Sequence, residues 1–203
     1  MWKKKILFSI ILLVIKLLYP NGNKKEYKKN IINYKNRGME LESLINEANE
    51  YYLEKDTALI YKKPTPIGLI DVDYKEGIIK KAYFKEKSTL DYNGIYKGKY
   101  IDFDAKESHI RTSFPLSYIH THQINHIKKV IDHGGISFLI IYINDMYYIL
   151  KGEDLISFIE TNTRKSIPYD YIKEKGYKID LTLRPTLNYL KVLDDIYFKG
   201  ESL

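Results

Sequence analysis

Asp91, Asp102, Asp104 and Lys106 lie within one short stretch of the chain. Asp102, Asp104 and Lys106 alternate with apolar residues in the sequence YIDFDAKE. Alternate side chains of a β-strand point to the same face, so these charged side chains would share one face and the intervening apolar side chains the other. A turn at Lys97–Gly98 would fold the stretch into a hairpin and bring Asp91 beside the charged row.

This set of residues is typical of a metal-dependent phosphodiesterase. Mg²⁺ is commonly held by one or two carboxylates, together with waters and a substrate phosphate. The ion lowers the pKa of a bound water, and a neighbouring lysine can stabilise the charge that develops on the phosphate. Asp91 and the Asp104-x-Lys106 pattern would supply these groups. The spacing alone favours a simpler interpretation, a solvent-exposed strand face on which alternating charges are common and contribute little.

Composition limits the classes of protein to consider. The 203 residues are 44% hydrophobic and 29% charged, which is typical of a globular protein and not of a disordered chain. The formal net charge of +7 favours an anionic partner, either nucleic acid or anionic lipid. The absence of cysteine excludes disulfides, thiolate zinc sites and a cysteine nucleophile. No phosphate-binding P-loop motif occurs, so we expect no nucleotide cofactor.

Helical and strand patterns place the charged stretch inside a mixed α/β domain. Leu41, Leu44, Ile45 and Ala48 recur at helical spacing, and the run ISFLIIYI is typical of a strand buried on both faces. The sequence predicts helices over 38–56, 121–133 and 152–163 and from about Pro185, and strands over 57–63, 69–87 with a turn at Glu76–Gly77, 91–107, 136–143 and 146–150. This order predicts a mixed central sheet flanked by helices.

The N-terminus has a basic start and an apolar run, Ile6–Leu18, interrupted by Lys16. A spanning helix needs about 20 apolar residues, and no small-residue cleavage pattern follows. Three interpretations stay open: a membrane anchor, a poorly cleaved export signal, or translated sequence upstream of the true domain. We expect residues 1–18 to be such an extension, 19–35 a flexible basic arm and 36–203 the domain. We expect a cytoplasmic protein, the alternative being a tether through residues 6–18.

Five blocks, in order along the chain from about Tyr19, resemble the RecU family of Holliday junction resolvases. They are NRGMELESLINEANEYYL, KKPTP, AYFKEKSTLDYNGIYKGKYIDFDAKE, TSFPL and HQINHIKKV. The resemblance implies a restriction-endonuclease-like fold with the PD-(D/E)xK arrangement. It also implies a magnesium-dependent endodeoxyribonuclease that cuts four-way junction DNA as a homodimer in recombination and repair, with a RecA-type recombinase as a further partner. The alternative is a junction-binding, recombinase-modulating protein with little or no nuclease activity.

The resemblance also assigns site residues. It implies magnesium binding by Thr89, Asp91, Asp104 and Gln123, and stabilisation of the transition state by Lys106. Asp104 stands where the family usually has a glutamate, and Leu90 stands where the superfamily label has proline. Asp102 shares the strand face of Asp104 but receives no role.

Residues 64–87 resemble the projecting β stalk of the family, which is thought to enter the open centre of a junction. The implied phosphate and base contacts there are Lys80, Lys81, Tyr83, Phe84, Lys85 and Lys87. Arg37, Lys62 and Lys63 are further candidates for phosphate contacts. The alternative is a lysine-rich edge hairpin that its charges protect from aggregation.

Three histidines, His120, His122 and His126, lie close together in the sequence. His122 and His126 have the i, i+4 spacing that can hold zinc from one helix. No glutamate lies between them and no third ligand is evident, so we expect solvated or DNA-facing histidines.

Overall fold

The computed structural model describes residues 41–85 and 89–199. The apolar N-terminal run, the basic arm, Arg37 and Lys87 lie outside these residues. No helix among the described residues is long and apolar enough to span a membrane.

Five helices and ten strands make up the described chain. The helices are α1 Leu41–Glu54, α2 Thr121–Asp132, α3 Gly152–Thr161, α4 Tyr169–Lys175 and α5 Tyr189–Tyr197, with a short 3-10 helix at Leu116–Tyr118. The strands are β1 Leu59–Lys62, β2 Ile67–Asp73, β3 Ile78–Phe84, β4 Tyr92–Tyr96, β5 Lys99–Ser108, β6 Ser113–Pro115, β7 Ile136–Ile143, β8 Met146–Lys151, β9 Ser166–Pro168 and β10 Tyr177–Ile179.

A six-stranded sheet with the order β1-β4-β5-β7-β8-β10 forms the centre of the fold. Strands β5 and β7 pair in parallel, and the other neighbours are antiparallel. A parallel pair requires a crossover connection, and here the crossover runs through β6 and α2. The prediction of a mixed sheet flanked by helices is confirmed.

Helices cover both faces of this sheet because β7 buries side chains on both. Phe138 and Ile140 pack in one core layer with α1 and α5. Leu139 and Ile141, which alternate with them, pack in the other layer with α2, α3 and α4. Strand β5 is divided differently, since Ile101 and Phe103 enter the α1 layer and the charged residues between and after them lie on the opposite side.

The predicted stalk contains a separate hairpin. Strands β2 and β3 form a two-stranded sheet that pairs with no other described strand. Every residue of β3 is exposed. The turn contains Gly77 at φ +66°, a conformation that glycine adopts readily.

The last helix begins at Tyr189, four residues later than the sequence indicated. The preceding residues are held in a turn instead, because the amide of Thr182 donates to the carbonyl of Thr186 and Leu181 pairs with Leu187 as an isolated β-bridge. Thr186 and Leu187 are buried there. Tertiary pairing therefore overrides the helix start that Pro185 predicted.

A glycine allows β1 to approach β4. A methyl group at Gly94 would lie 2.1 Å from the Leu59 carbonyl oxygen and 2.7 Å from the Ile60 Cα.

We expect Gly94→Ala to lower the free energy of unfolding by roughly 1–3 kcal/mol through overpacking, which is measurable by chemical denaturation. Ile95→Ala is the control, since Ile95 is 54% exposed on the same strand and should cost about 0.5 kcal/mol or less. Equal stability of the two variants would contradict the close approach.

Candidate active site

The charged residues of β5 meet two other elements at one place. Thr89 and Asp91 come from the segment before β4, Asp104 and Lys106 from β5, and Gln123 from α2. Leu90, between the first two, is fully buried in the core layer that contains α2, and this burial anchors the segment. Leu90 stands at the position where the PD-(D/E)xK pattern has proline, and there it packs in the core.

Burial separates this strand face from an ordinary solvated one. The side chains of Asp102 and Asp104 are both 0% exposed. Lys106 is also mostly covered, with 21% of its side chain exposed. Isolated buried carboxylates are costly, so each must be compensated by hydrogen bonds or opposite charge. The simpler interpretation of a solvent-exposed charged strand therefore does not hold for these aspartates.

Asp104 is held from two sides. Lys106 Nζ lies 2.8 Å from Asp104 Oδ2, and Gln123 Nε2 donates to the same oxygen at 2.8 Å. Burial and then a hydrogen bond with the carboxyl of Asp91 raise the pKa of Asp104 to about 7, although Lys106 acts in the opposite direction. Burial is therefore the main reason that Asp104 resists ionisation, and the neighbouring Asp91 carboxyl adds to it.

The start of α2 orients Gln123. Its Oε1 accepts a hydrogen bond from the backbone amide of His120 at 3.0 Å, and this leaves the amide NH₂ group facing Asp104. A glutamine side chain in the first turn of a helix can accept a hydrogen bond from the backbone amide of the residue before the helix, and this satisfies an amide that would otherwise be unpaired. The sequence placed Gln123 on a polar flank of the helix, whereas its side chain is buried against the carboxylate of β5.

Asp102 is the most extensively bonded of the three aspartates. Its carboxylate accepts from Lys63 Nζ at 2.9 and 2.7 Å and from the Tyr100 hydroxyl at 2.7 Å, and His126 Nε2 lies 2.9 Å away. Burial and the hydrogen bond to Asp102 raise the pKa of Tyr100 to about 12. No role for Asp102 is predicted from the sequence, and its alternation with Asp104 was the one signal that placed it near the site.

The two lysines of the KKPTP block have different surroundings. Lys62 is exposed and pairs with Glu42. Lys63 is 18% exposed and contacts Asp102 and the Thr89 hydroxyl, the latter at 3.0 Å. Sequence reasoning treated them as equivalent phosphate contacts, because nothing in their local sequence distinguishes an outward from an inward lysine.

The stalk candidates lie on the separate hairpin. Lys80 pairs with Asp73 at 2.8 Å, and Lys81 lies opposite Asp71 in the β2–β3 register. Phe84 is 79% exposed, and Tyr83 packs over Gly68. Lys85 follows the hairpin, and its backbone amide donates to the Pro66 carbonyl.

The histidines are divided between two places. His120 and His122 stack with ring centroids 5.3 Å apart, whereas His126 is bound to Asp102. Over residues 41–85 and 89–199, no group of three or more His, Cys, Asp or Glu side chains is arranged to hold a metal. A zinc site of nitrogen or carboxylate ligands would need such a group.

The donor set around Asp104 nevertheless fits Mg²⁺. The neighbouring carboxylates of Asp91 and Asp104 supply oxygen donors, and Mg²⁺ sites commonly use one or two carboxylates. Gln123 presents its NH₂ group to Asp104, and the Thr89 hydroxyl accepts from Lys63. A divalent cation would favour the ionised form of Asp104, which burial and the neighbouring Asp91 disfavour. The site thus combines hard oxygen donors with a lysine whose ammonium group lies beside one of them.

The pH dependence of stability tests the raised pKa of Asp104. Without divalent cations, the folded protein keeps a proton on Asp104 up to pH of about 7, whereas the unfolded chain releases it near 3.8. Folded-state stabilisation from this proton is therefore present at low pH and is lost as the pH rises towards 7. We expect wild-type protein in EDTA to lose a few kcal/mol of stability relative to Asp104→Asn between about pH 4 and pH 8. Parallel stability profiles from chemical denaturation would contradict the raised pKa of Asp104.

Comparison with known proteins identifies relatives over most of the chain. The family model for recombination protein U (RecU) matches residues 36–195. A protein of Bacillus cereus named Holliday junction resolvase RecU is 45% identical over 195 residues, covering 89% of this chain and 98% of that protein. A Bacillus licheniformis protein of the same name is 46% identical over 192 residues, covering 89% and 97% of the two chains. Among solved structures, the Holliday junction resolvase Hjc of Archaeoglobus fulgidus matches with a TM-score of 0.40 and 8% identity, over 66% of this chain and 94% of that one.

Proposed function

Since the chain belongs to the RecU family, we propose that it is a magnesium-dependent endodeoxyribonuclease that resolves Holliday junctions in homologous recombination and repair. The single observation that carries the proposal is the fully buried Asp104 carboxylate, whose Oδ2 lies 2.8 Å from both Lys106 Nζ and Gln123 Nε2. The names of relatives that match over 97–98% of their own length support the choice of substrate.

Each residue has a role in this proposal. Asp91, Asp104 and Thr89 would hold the cation, whereas the only metal-binding atom of Gln123, its Oε1, accepts from the His120 amide. When bound, Mg²⁺ lowers the pKa of a coordinated water and offsets negative charge on the phosphate. Gln123 fixes the orientation of Asp104 through its NH₂ group. Lys106 stabilises the charge that develops on the scissile phosphate.

The shorter acid at position 104 is compatible with these roles. Lys106 and Gln123 both reach the Asp104 carboxylate at 2.8 Å, so a side chain one methylene shorter than glutamate is still held from both sides. The only sequence feature that supports the alternative without nuclease activity is this shorter acid, and these two contacts weigh against that alternative.

Resolution of a junction requires two symmetric cuts, and a homodimer with twofold symmetry would supply two active sites. In this proposal the exposed stalk hairpin enters the junction centre, where Tyr83 and Phe84 stack on bases and Lys80, Lys81 and Lys85 contact phosphates. The protein would act on chromosomal junctions in the cytoplasm, with a RecA-type recombinase as a further partner.

Asp91→Asn tests the nuclease. We expect it to reduce cutting of a synthetic four-way junction in Mg²⁺ by at least roughly 100-fold, because one of the two carboxylates of the site is neutralised. Junction binding in EDTA should persist. Asp180→Asn is the matched control, since Asp180 is exposed and pairs only with Lys178 among the described residues. Undiminished cutting by Asp91→Asn, or tight binding by the wild type with no cutting in Mg²⁺ or Mn²⁺, would contradict the proposal.

Phe84→Ala tests the stalk. Base stacking on an aromatic side chain contributes about 1–3 kcal/mol, so we expect junction affinity to fall roughly 5- to 100-fold while binding to duplex DNA changes little. Leu183→Ala is the control, because Leu183 is comparably exposed, 81% against 79%, but lies outside the hairpin. Fluorescence anisotropy with both DNAs measures the effect. Equal losses for junction and duplex would show that the hairpin does not recognise the junction centre.

A further inference from the structure

Asp102 has no part in the proposed chemistry, although it is fully buried and strongly bonded. Its carboxylate contacts Lys63, Tyr100 and His126. A buried carboxylate persists only where hydrogen bonds and opposite charge compensate its lost hydration. Two of these partners come from elements other than β5, so the carboxylate joins separate parts of the site.

Lys63 uses all of its donors inside the protein. A lysine ammonium group has three N–H donors and no acceptor. Lys63 Nζ contacts Asp102 Oδ1 at 2.9 Å, Asp102 Oδ2 at 2.7 Å and Thr89 Oγ1 at 3.0 Å. With three acceptors in reach, and with 18% of its side chain exposed, this ammonium group has no donor left for a DNA phosphate.

Lys63 also holds the neighbouring backbone. Its amide nitrogen donates to the carbonyl oxygen of Asp91 at 2.7 Å, one of the shortest of the backbone bonds outside regular elements. The same residue therefore binds Thr89 through its side chain and Asp91 through its main chain. Thr89 and Asp91 are the two candidate ligands that lie outside the regular strands and helices.

The Asp102 carboxylate also reaches α2. His126 lies three residues after Gln123 on this helix, and its Nε2 is 2.9 Å from Asp102 Oδ2. A single carboxylate thus connects the segment before β4, strand β5 and helix α2, the three elements that carry the candidate ligands.

We propose that Lys63, anchored by Asp102, is a positioning residue that sets the Thr89 hydroxyl and the Asp91 segment for the divalent cation. It does so in place of the DNA phosphate contact that its sequence indicates. This inference rests on the proposed function for the identity of the site, but not on cleavage itself.

Lys63→Met keeps the aliphatic stem and the backbone amide but removes the ammonium group. We expect Mn²⁺ affinity, measured by calorimetry on the full chain without DNA, to fall about tenfold, because the Thr89 hydroxyl loses its donor. The Mg²⁺ concentration for half-maximal junction cutting should rise by the same factor, with cutting largely recovered at saturating Mg²⁺. Junction affinity in EDTA and its dependence on salt should stay as in the wild type.

Lys97→Met is the matched control. Lys97 Nζ lies 2.6 Å from Asp194, so this variant also removes one lysine–carboxylate pair and one positive charge. We expect it to leave Mn²⁺ affinity unchanged. Lys63→Met leaves the buried Asp102 carboxylate without its positive partner, and this could prevent folding. In that case the double variant Lys63→Met with Asp102→Asn removes the uncompensated carboxylate. The double variant should show the same tenfold loss of Mn²⁺ affinity.

Two outcomes would overturn the inference. A phosphate contact predicts that junction affinity falls and that the salt slope drops by about one, with Mn²⁺ affinity unchanged. A purely structural role predicts a lower melting temperature with unchanged Mn²⁺ affinity. Failure of the proposed function can be distinguished from failure of this inference. If the wild-type protein cuts no junction, the nuclease is refuted. If Lys63→Met still lowers Mn²⁺ affinity in that case, the positioning role is supported.

Discussion

Burial of the Asp104 carboxylate is the constraint on which the site depends. Burial, followed by a hydrogen bond with the neighbouring Asp91 carboxyl, raises the pKa of Asp104 to about 7. Such an arrangement forms only if the surrounding fold is stable enough to hold it. Lys106 and Gln123 compensate part of its cost, and the rest must come from the packing of β5.

Strand β5 is suited to this because its opposite face is strongly anchored. Phe103, between the two buried aspartates in sequence, stacks on Tyr92 at 5.0 Å and on Phe138 at 4.7 Å, with interplanar angles of 9° in both pairs. Stacked aromatic rings contribute about 0.5–1.5 kcal/mol per pair beyond the area they bury. The aromatic row thus crosses β4, β5 and β7 beneath the carboxylates and fixes the strands that carry them.

Strand alternation and the Lys97–Gly98 turn were sufficient to predict which side chains of β5 share a face, because both depend on neighbours in sequence. Burial of Asp102 and Asp104 could not be predicted in that way, since it depends on α2 packing over the strand. The partners of Lys63 were missed for the same reason: Asp102 is 39 residues away in sequence. Thr89 and Gln123 entered through the family resemblance alone. Tertiary pairing of Leu181 with Leu187 likewise displaced the predicted start of the last helix.

The parallel pairing of β5 with β7 also governs when the site can form during folding. Antiparallel β4 and β5 are joined by a tight turn and can pair early, whereas β7 can join β5 only after the whole crossover has closed. The same crossover contains α2, which brings Gln123 and His126 to the aspartates. The crossover must therefore close before the aspartates of β5 meet Gln123 and His126, so the completed centre depends on the parallel pairing of β5 with β7.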